Sequence, residues 1–454
     1  MRHYLLLIFI LFVLASDVLA ETEDAWLERQ VDLIYATVDD EVEERLASLD
    51  QSIVDHRGEA SVRRIISLYV ERWRSGSETI LGRTARYFPC FEAELDRRGL
   101  PEAIKYLTIT ESALRPWAVS HVGAAGFWQL MPETAVELGL QVDSVLDERL
   151  DFQLGTEAGL DYLERQYERY EDWALALAAY NSGPGRVNRA IRRSGSRNFW
   201  RLQRFLPRET RAYVPGYIAA VYLAAFFHEH ELEPRQHNLD LVMHEAVAVK
   251  GFLSLHRLTQ LSGLRPAEVL ELNPAYLMGY VPDDGRTHYV YLPQRVVPAL
   301  RAYLAELGPN REEEDFQPPW LSPRLDQGEI VPEQYYQNYA YYVHSRDSSF
   351  SQLEAHLQIP AVRLQIWNQL GSMDSLATGE YLEYYRVRSY SEFAPPSLPL
   401  YAPWPELEER PLAPLDVVLP KPQPELSFLP TNSPKPRSRR GFFRQIGGIF
   451  GRQD

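Results

Sequence analysis

The chain has 454 residues, 45% of them hydrophobic, and a formal net charge of −16. That length predicts two or three domains, and the apolar content is ample for packed cores. An acidic surface repels phosphates and so excludes nucleic acid as a partner, and a single cysteine, Cys90, excludes an intramolecular disulfide.

In chain order, residues 1–20 read as a cleaved export signal. Arg2 is followed by an apolar run from Leu5 to Ala15, and Val18-Leu-Ala20 offers small residues for cleavage. The run is shorter than the ~20 residues of a membrane span, which leaves an uncleaved anchor as the alternative. No cysteine follows it closely, so no lipid anchor is expected. Residues 21–75, with apolar and charged residues at helical spacing from Val31 to Tyr69, predict a helical segment that packs on the next domain and carries no chemistry. Cys90, between Phe88-Pro89 and Phe91, reads as a small buried hydrophobe.

From Leu100 to Leu114, Pro101 marks a helix start and Pro116 a stop. Apolar side chains wrap most of this segment and predict that it is buried. Glu111 lies near its inner end, and a carboxylate there needs a reason. Taken alone, a surface glutamate at a helix C-terminus is the commoner reading. Three further polar motifs follow in order: Gly126-Phe-Trp-Gln129, Ala179-Tyr-Asn181 and Glu209-Thr-Arg-Ala-Tyr213. Helical spacing from Arg149 to Tyr170 and from Trp173 to Tyr180 places them in a helix-rich domain over residues 76–232.

Thr110-Glu-Ser-Ala113, Gly123-Ala-Ala-Gly-Phe-Trp-Gln-Leu-Met-Pro132, Ala178-Ala-Tyr-Asn-Ser-Gly183 and Glu209-Thr-Arg-Ala-Tyr-Val-Pro215 together resemble the catalytic domain of the soluble-type lytic transglycosylases. The branch resembled is the membrane-bound lytic murein transglycosylase D type, which has Trp before the Gln, and the likeness spans about Ile65 to Ala225. The resemblance implies a lysozyme-like helical fold. It also implies cleavage of the β-1,4 bond between N-acetylmuramic acid and N-acetylglucosamine of peptidoglycan, leaving a 1,6-anhydro sugar. Glu111 would act as both acid and base. Ser112 and Gln129 would place hydrogen bonds at the catalytic subsite, Tyr180 and Tyr213 would line the cleft, and Asn181 would contact substrate or fix the loop to Gly183. Gly123 and Gly126 would permit close backbone approach and tight turns. Trp128 and Trp173 read as core residues.

Beyond Glu233 an internal repeat appears. Tyr341-Tyr-Val343, Asp347, Phe350, Leu353, Ile359, Asn368, Gly379 and Leu382 resemble a LysM module, a strand, two short helices and a strand. Leu255, Leu258, Leu264 and Asn273 fall 95 residues before four of these positions. Asp347 is expected to cap the first helix, Pro360 to open the second, and Asn368 to close it in the left-handed conformation. The first copy, residues 240–300, has Gly251-Phe252 where a Gly-Asp pair is usual, and an extension from Ala275 to Tyr289. Residues 301–337 read as a linker and 338–390 as the second copy, whose loops around Arg346 to Ser349 and Gln369 to Met373 are expected to bind glycan. The Pro-rich composition of residues 391–454 cannot support a core and predicts a disordered tail. Its last 20 residues carry six basic side chains and one acidic, beside Phe442, Phe443, Ile446, Ile449 and Phe450. Weak contact with a membrane surface or docking to a partner is one reading, and a solvated end the other.

The fold class expected is therefore mainly α: a lysozyme-like helical catalytic domain, two small α+β LysM-type βααβ modules, and a Pro-rich tail. The compartment expected is the periplasm. The partners expected are peptidoglycan glycan strands and other cell-wall proteins. A net-negative chain cannot hold murein by charge alone, because stem peptides carry carboxylates, so recognition should rest on hydrogen bonds and aromatic faces. No Cys/His cluster has metal-ligand spacing and no phosphate loop is present, so neither a metal nor another cofactor is expected. Glu133, Asp147, Asp151 and Glu209 are the candidates for a second carboxylate, and none is set apart as a nucleophile. Two rival readings remain: a non-catalytic murein-binding scaffold and a hydrolytic muramidase.

Overall fold

The structure, a computed structural model, describes residues 41–387 except 50–51, 56–59, 237, 308–334 and 348. The expected signal, the first part of the 21–75 segment, most of the linker and the Pro-rich tail lie outside the described residues.

The helical region is built around one helix. Residues 41–47 form α1. Next come α2 (Ala60–Ser67), an i→i+5 helical segment (Leu68–Arg72), α3 (Arg74–Arg98), a 3-10 turn (Glu102–Tyr106), α4 (Leu107–Ser112) and α5 (Pro132–Glu137). Then follow α6 (Leu154–Tyr170), α7 (Trp173–Ser182), α8 (Pro184–Ser194), α9 (Phe199–Leu202), α10 (Arg208–Phe226) and the short α11 (Leu239–Val242). From Tyr213 to Phe226 every residue of α10 is buried. A helix apolar on all sides stays in water only at great cost, so α2, α4 and α7 pack around it. Beside it, α3 brings Tyr87 and Phe91 against Phe127, with ring centroids 4.7 and 5.1 Å apart in edge-to-face geometry.

Two βααβ units follow. In the first, β1 (His244–Lys250) pairs antiparallel with β4 (Thr287–Pro293) and encloses α12 (Leu255–Ser262) and α13 (Pro266–Leu272). The two-residue strands β2 (Leu253–Ser254) and β3 (Tyr280–Val281) pair inside it. In the second, β5 (Tyr336–Tyr342) pairs with β6 (Tyr381–Val387) around α15 (Phe350–Leu357) and α16 (Ala361–Trp367).

The 95-residue offset holds in atomic detail. It maps α12 onto α15, α13 onto α16, the N-cap Ser254 onto Ser349, and the left-handed Gly263 onto Gln358. Asn273 donates to the carbonyls of Val269 and Tyr291 and accepts from the Tyr291 amide. Asn368 makes the same three bonds to Leu364 and Glu383. Each asparagine staples the end of its second helix to the closing strand, satisfying backbone groups that a strand edge leaves open.

Three local expectations are corrected. The cap of α15 is Ser349, which accepts from the Gln352 amide, while Asp347 accepts from the His344 amide and the Tyr341 hydroxyl. Asn368 has φ −104°, and its neighbour Gln369 takes the left-handed position at φ 57°. The 301–337 linker is structured at both ends, because α14 (Val297–Leu307) runs into it and β5 begins at Tyr336.

The second unit is docked on the helical region. Buried Arg363 donates to the carbonyl of Ala85 at 3.1 Å and of Val242 at 2.7 Å. The Ser372 amide donates to the Ala224 carbonyl near the end of α10, and Asp374 meets His228 at 3.3 Å. The stretch Gln369 to Met373, expected as half of a glycan-binding edge, is therefore engaged with α10, and Gly371 within it is buried. A Cβ at Gly371 would lie 2.0 Å from the Ala225 carbonyl oxygen. Gly371→Ala is thus expected to displace the second unit at a cost of about 1–3 kcal/mol. Hydrogen exchange should report faster exchange of the Ser372 amide with α10 itself still protected; unchanged Ser372 protection would show that the contact is not tight.

Candidate active site

Glu111 sits in the last turn of α4. The helix does not run on to Pro116: Ala113 and Leu114 adopt left-handed φ of 51° and 57° and turn the chain away directly after Ser112. Two successive non-glycine residues in this region store strain of order 1 kcal/mol or more each. Arg83 helps hold the turn by donating to the Ala113 carbonyl at 3.0 Å.

The Glu111 carboxyl opens into a cavity of ≈870 Å³. Ile65, Leu68, Tyr69 and Trp73 line it, so the segment before residue 76, expected to pack on the catalytic domain without chemistry, also contributes side chains to the cavity. Trp117, Val119, Val122 and Met131, all exposed, line it too. Tyr180, Asn181, Glu209 and Tyr213 are among its other lining residues.

Burial pushes the Glu111 carboxyl up to about 8. The Tyr213 hydroxyl, which donates to its Oε1, pulls the other way, and the nearby Glu209 carboxylate adds to the rise. An anion at the carbonyl end of a helix is further disfavoured by the helix dipole. The result is a carboxylic acid that keeps its proton at neutral pH while exposed to a cleft, the electrostatic setting of a general acid.

The other expected residues divide. Tyr180 forms part of the floor, its hydroxyl donating to the Trp128 carbonyl at 2.7 Å and its ring against Tyr162. Asn181 accepts from Thr210 at 2.8 Å and so ties the end of α7 to the first turns of α10. Gln129 lines the cavity at φ 48°, and its amide donates to the Ala118 and Gly126 carbonyls at 3.0 and 2.9 Å, bracing the loop that carries it. Ser112 is not brought to the cavity: it is fully buried and its hydroxyl donates to the Thr108 carbonyl. Gly126 has φ 83°, and a Cβ there would fall 1.9 Å from the Arg149 carbonyl oxygen.

Of the four further carboxylates only Glu209 lines the cavity, and it is exposed there. Asp147 holds Arg149 at 2.7 Å, and Arg149 in turn grips the Gly123 and Leu130 carbonyls, so that pair shapes the loop. Asp151 is buried away from the cleft, its carboxyl raised to about 6 by burial and partly compensated by the Leu154 and Gln153 amides. Trp128 is core, with its indole N–H on Thr156, and Trp173 stacks on Tyr167 outside the cleft. Cys90 touches the Phe152 carbonyl at 3.8 Å, and burial raises its thiol to about 12, an unreactive group. Among the described residues no group of three His, Cys, Asp or Glu side chains is placed to hold a metal ion. Likewise, no described helix is long and apolar enough to cross a membrane.

Removing the Tyr213 hydroxyl should raise the Glu111 carboxyl further, because that donor stabilises the carboxylate. Tyr213→Phe is expected to shift the alkaline limb of any Glu111-dependent rate to higher pH. A pH–rate profile checks this, and an unmoved or lowered limb would count against the contact.

A family model described as Transglycosylase SLT domain matches residues 88–203, and one described as Lytic transglycosylase MltD, LysM-like domain matches residues 244–308. The membrane-bound lytic murein transglycosylase D of Escherichia coli (strain K12) is 39% identical over 142 residues, 30% of this chain and 31% of that protein. A putative tributyltin chloride resistance protein of Alteromonas sp. (strain M-1) is 36% identical over 110 residues, 24% of this chain and 53% of that one. The crystal structure of the 70 kDa soluble lytic transglycosylase of Escherichia coli aligns at 28% identity and a TM-score of 0.28, over 31% of this chain and 24% of that one. The chain thus spans about a third of the length of the first curated relatives, 31%. It carries a transglycosylase SLT domain joined to an MltD-type LysM-like domain.

Proposed function

We propose that this protein is a peptidoglycan lytic transglycosylase with Glu111 as its single acid–base residue. The observation that carries the reading is a protonated carboxyl in an open cleft, within an SLT transglycosylase domain. Glu111 gives its proton to the glycosidic oxygen, and the bond to the N-acetylglucosamine breaks as positive charge builds at the anomeric carbon of N-acetylmuramic acid. The substrate's own N-acetyl group offsets that charge. The Glu111 carboxylate then takes the proton of the C6 hydroxyl as that oxygen bonds to the anomeric carbon. The acid is regenerated, a 1,6-anhydro ring closes, and no water is consumed.

Tyr213, hydrogen-bonded to Oε1, orients the carboxyl so that the other oxygen faces substrate. Tyr180 shapes the floor, Asn181 and Gln129 hold the walls, and Ser112 acts only by keeping the α4 turn intact. The muramidase alternative needs a second carboxylate, and Glu209 at the cleft rim is the one available. The scaffold alternative leaves an acid raised to about 8 without employment.

Glu111→Gln is expected to lower cleavage by about 10⁴-fold, the upper end for general acid–base catalysis, since one group serves both half-reactions. Mass spectrometry of wild-type digests should show 1,6-anhydro ends; reducing ends instead would make the protein a hydrolase. Activity should fall as pH rises through about 8, where Glu111 loses its proton.

The same shift carries a stability consequence. The unfolded glutamate ionises near 4.3, while the folded one holds its proton to about 8. Folding stability is therefore lost as pH rises between those values. Glu111→Gln should stabilise the fold at pH 8 by on the order of 1–2 kcal/mol, after discounting for partial exposure, and by little at pH 4. Paired thermal melts decide it, and equal effects at both pH values would mean the carboxyl is not held neutral.

The same reading places the protein in the periplasm, exported by residues 1–20, with peptidoglycan as its partner. N-terminal sequencing of exported protein should begin near Glu21. The basic end from Lys435 adds a weak membrane-surface contact of about 1 kcal/mol per basic residue near the surface. Liposome flotation with and without residues 434–454 reads that contact, and equal flotation rules it out.

A further inference from the structure

The net charge of −16 conceals one strongly positive surface. Between Pro184 and Arg211 the chain has nine arginines, no lysine and one carboxylate, Glu209. The elements involved, α8, α9 and the start of α10, pack on one another through the turn at Gln203–Phe205. Val187 and Ala190 bury the inner face of α8, which turns Arg186, Arg189, Arg192 and Arg193 outward. Arg197, Arg201, Arg204, Arg208 and Arg211 are exposed as well. Among the described residues, none of the four α8 arginines is in an ion pair with a carboxylate, although the protein has 63 acidic residues to draw on. So many like charges side by side repel one another, and an anionic partner relieves that repulsion.

The patch is continuous with the cleft at both ends. Asn181, three residues before α8, and Pro207, Arg208 and Glu209, at the start of α10, all line the cavity that holds Glu111. We infer that the arginine face of α8 to α10 is a binding surface for the carboxylates of stem peptides on a glycan strand lying in the cleft. This inference rests on the proposed activity. Guanidinium forks match carboxylates bidentately, which suits an all-arginine surface. An anionic membrane is the other polyanion in reach, but an interfacial helix pairs its charges with exposed apolar side chains. Here Val187, Phe199, Leu202 and Leu206 are buried, and Ile191, Trp200 and Phe205 are half-buried. The surface is charged without being amphipathic, and that favours the peptides.

The test uses the full-length chain with Arg189, Arg192 and Arg193 replaced by Gln, none of which lines the cleft. Soluble glycan strands with intact stem peptides are compared with strands stripped of them by an amidase. At low salt the variant should need about tenfold more peptide-bearing substrate for half-maximal rate, the combined effect of three exposed charge contacts. Its kcat should be unchanged, its behaviour on stripped strands should match wild type, and the difference should shrink as salt screens it. Equal behaviour on peptide-bearing strands, or equal loss on both substrates, overturns the inference. So does arginine-dependent binding to phosphatidylglycerol vesicles with no change on either glycan, which would assign the surface to lipid. If wild type releases no anhydro ends from either substrate, the enzymatic reading fails separately. Binding of the two strand types to Glu111→Gln, with and without the three replacements, then still reads the patch.

Discussion

The structure depends on α10 being buried around its whole circumference from Tyr213 to Phe226. A stretch of helix with so little polar surface must be enclosed, and the rest of the helical region is the enclosure. One end of this helix delivers Tyr213 to Glu111, and the other presents the Ala224 and Ala225 backbone to the second βααβ unit. The same burial dries the cleft floor. Glu111 is kept protonated because the wall facing it is packed hydrocarbon and phenol rather than water, so its acidity follows from where α10 must lie.

The site shows a division of labour between groups that face the cleft and groups that hold the shape. The Asp147–Arg149 pair, the Gln129 amide, Ser112 and Asn181 all put hydrogen-bonding capacity into loop carbonyls, helix turns or neighbouring helices. The Glu111 and Glu209 carboxyls, Arg115, His121 and an exposed apolar set of Trp117, Val119, Val122 and Met131 are among the groups that line the cavity itself.

Much of this was legible in the chain. Glu111, Tyr180 and Tyr213 stand beside markers that fix their neighbourhood, and the 95-residue offset of Leu255, Leu258, Leu264 and Asn273 announces the repeat that the asparagine staples make physical. The misses have specific causes. Ser112 looks like a ligand-facing hydroxyl in sequence, but a serine in a last helical turn bonds readily to the carbonyl four residues back. Asp347 was the obvious cap, yet Ser349 stands at the residue where the backbone turns into the helix. Ile65 to Trp73 reads as a plain amphipathic helix, and nothing local says that its apolar face ends at a cleft. The arginine surface was hidden by averaging, since a global charge of −16 says nothing of where nine cations gather.

The docking of the second unit has a consequence for how such proteins change over generations. Arg363 and the Ser372 amide meet the helical region through main-chain carbonyls, those of Ala85, Val242 and Ala224, and Gly371 sits against that of Ala225. A carbonyl is the same whatever side chain it accompanies, so substitutions on the receiving side of these contacts leave no matching substitution on the other. Correlated mutation, the usual fingerprint of contact between modules, would therefore be confined to the side-chain contacts of the seam, such as Asp374 with His228 and Tyr336 with Asp240.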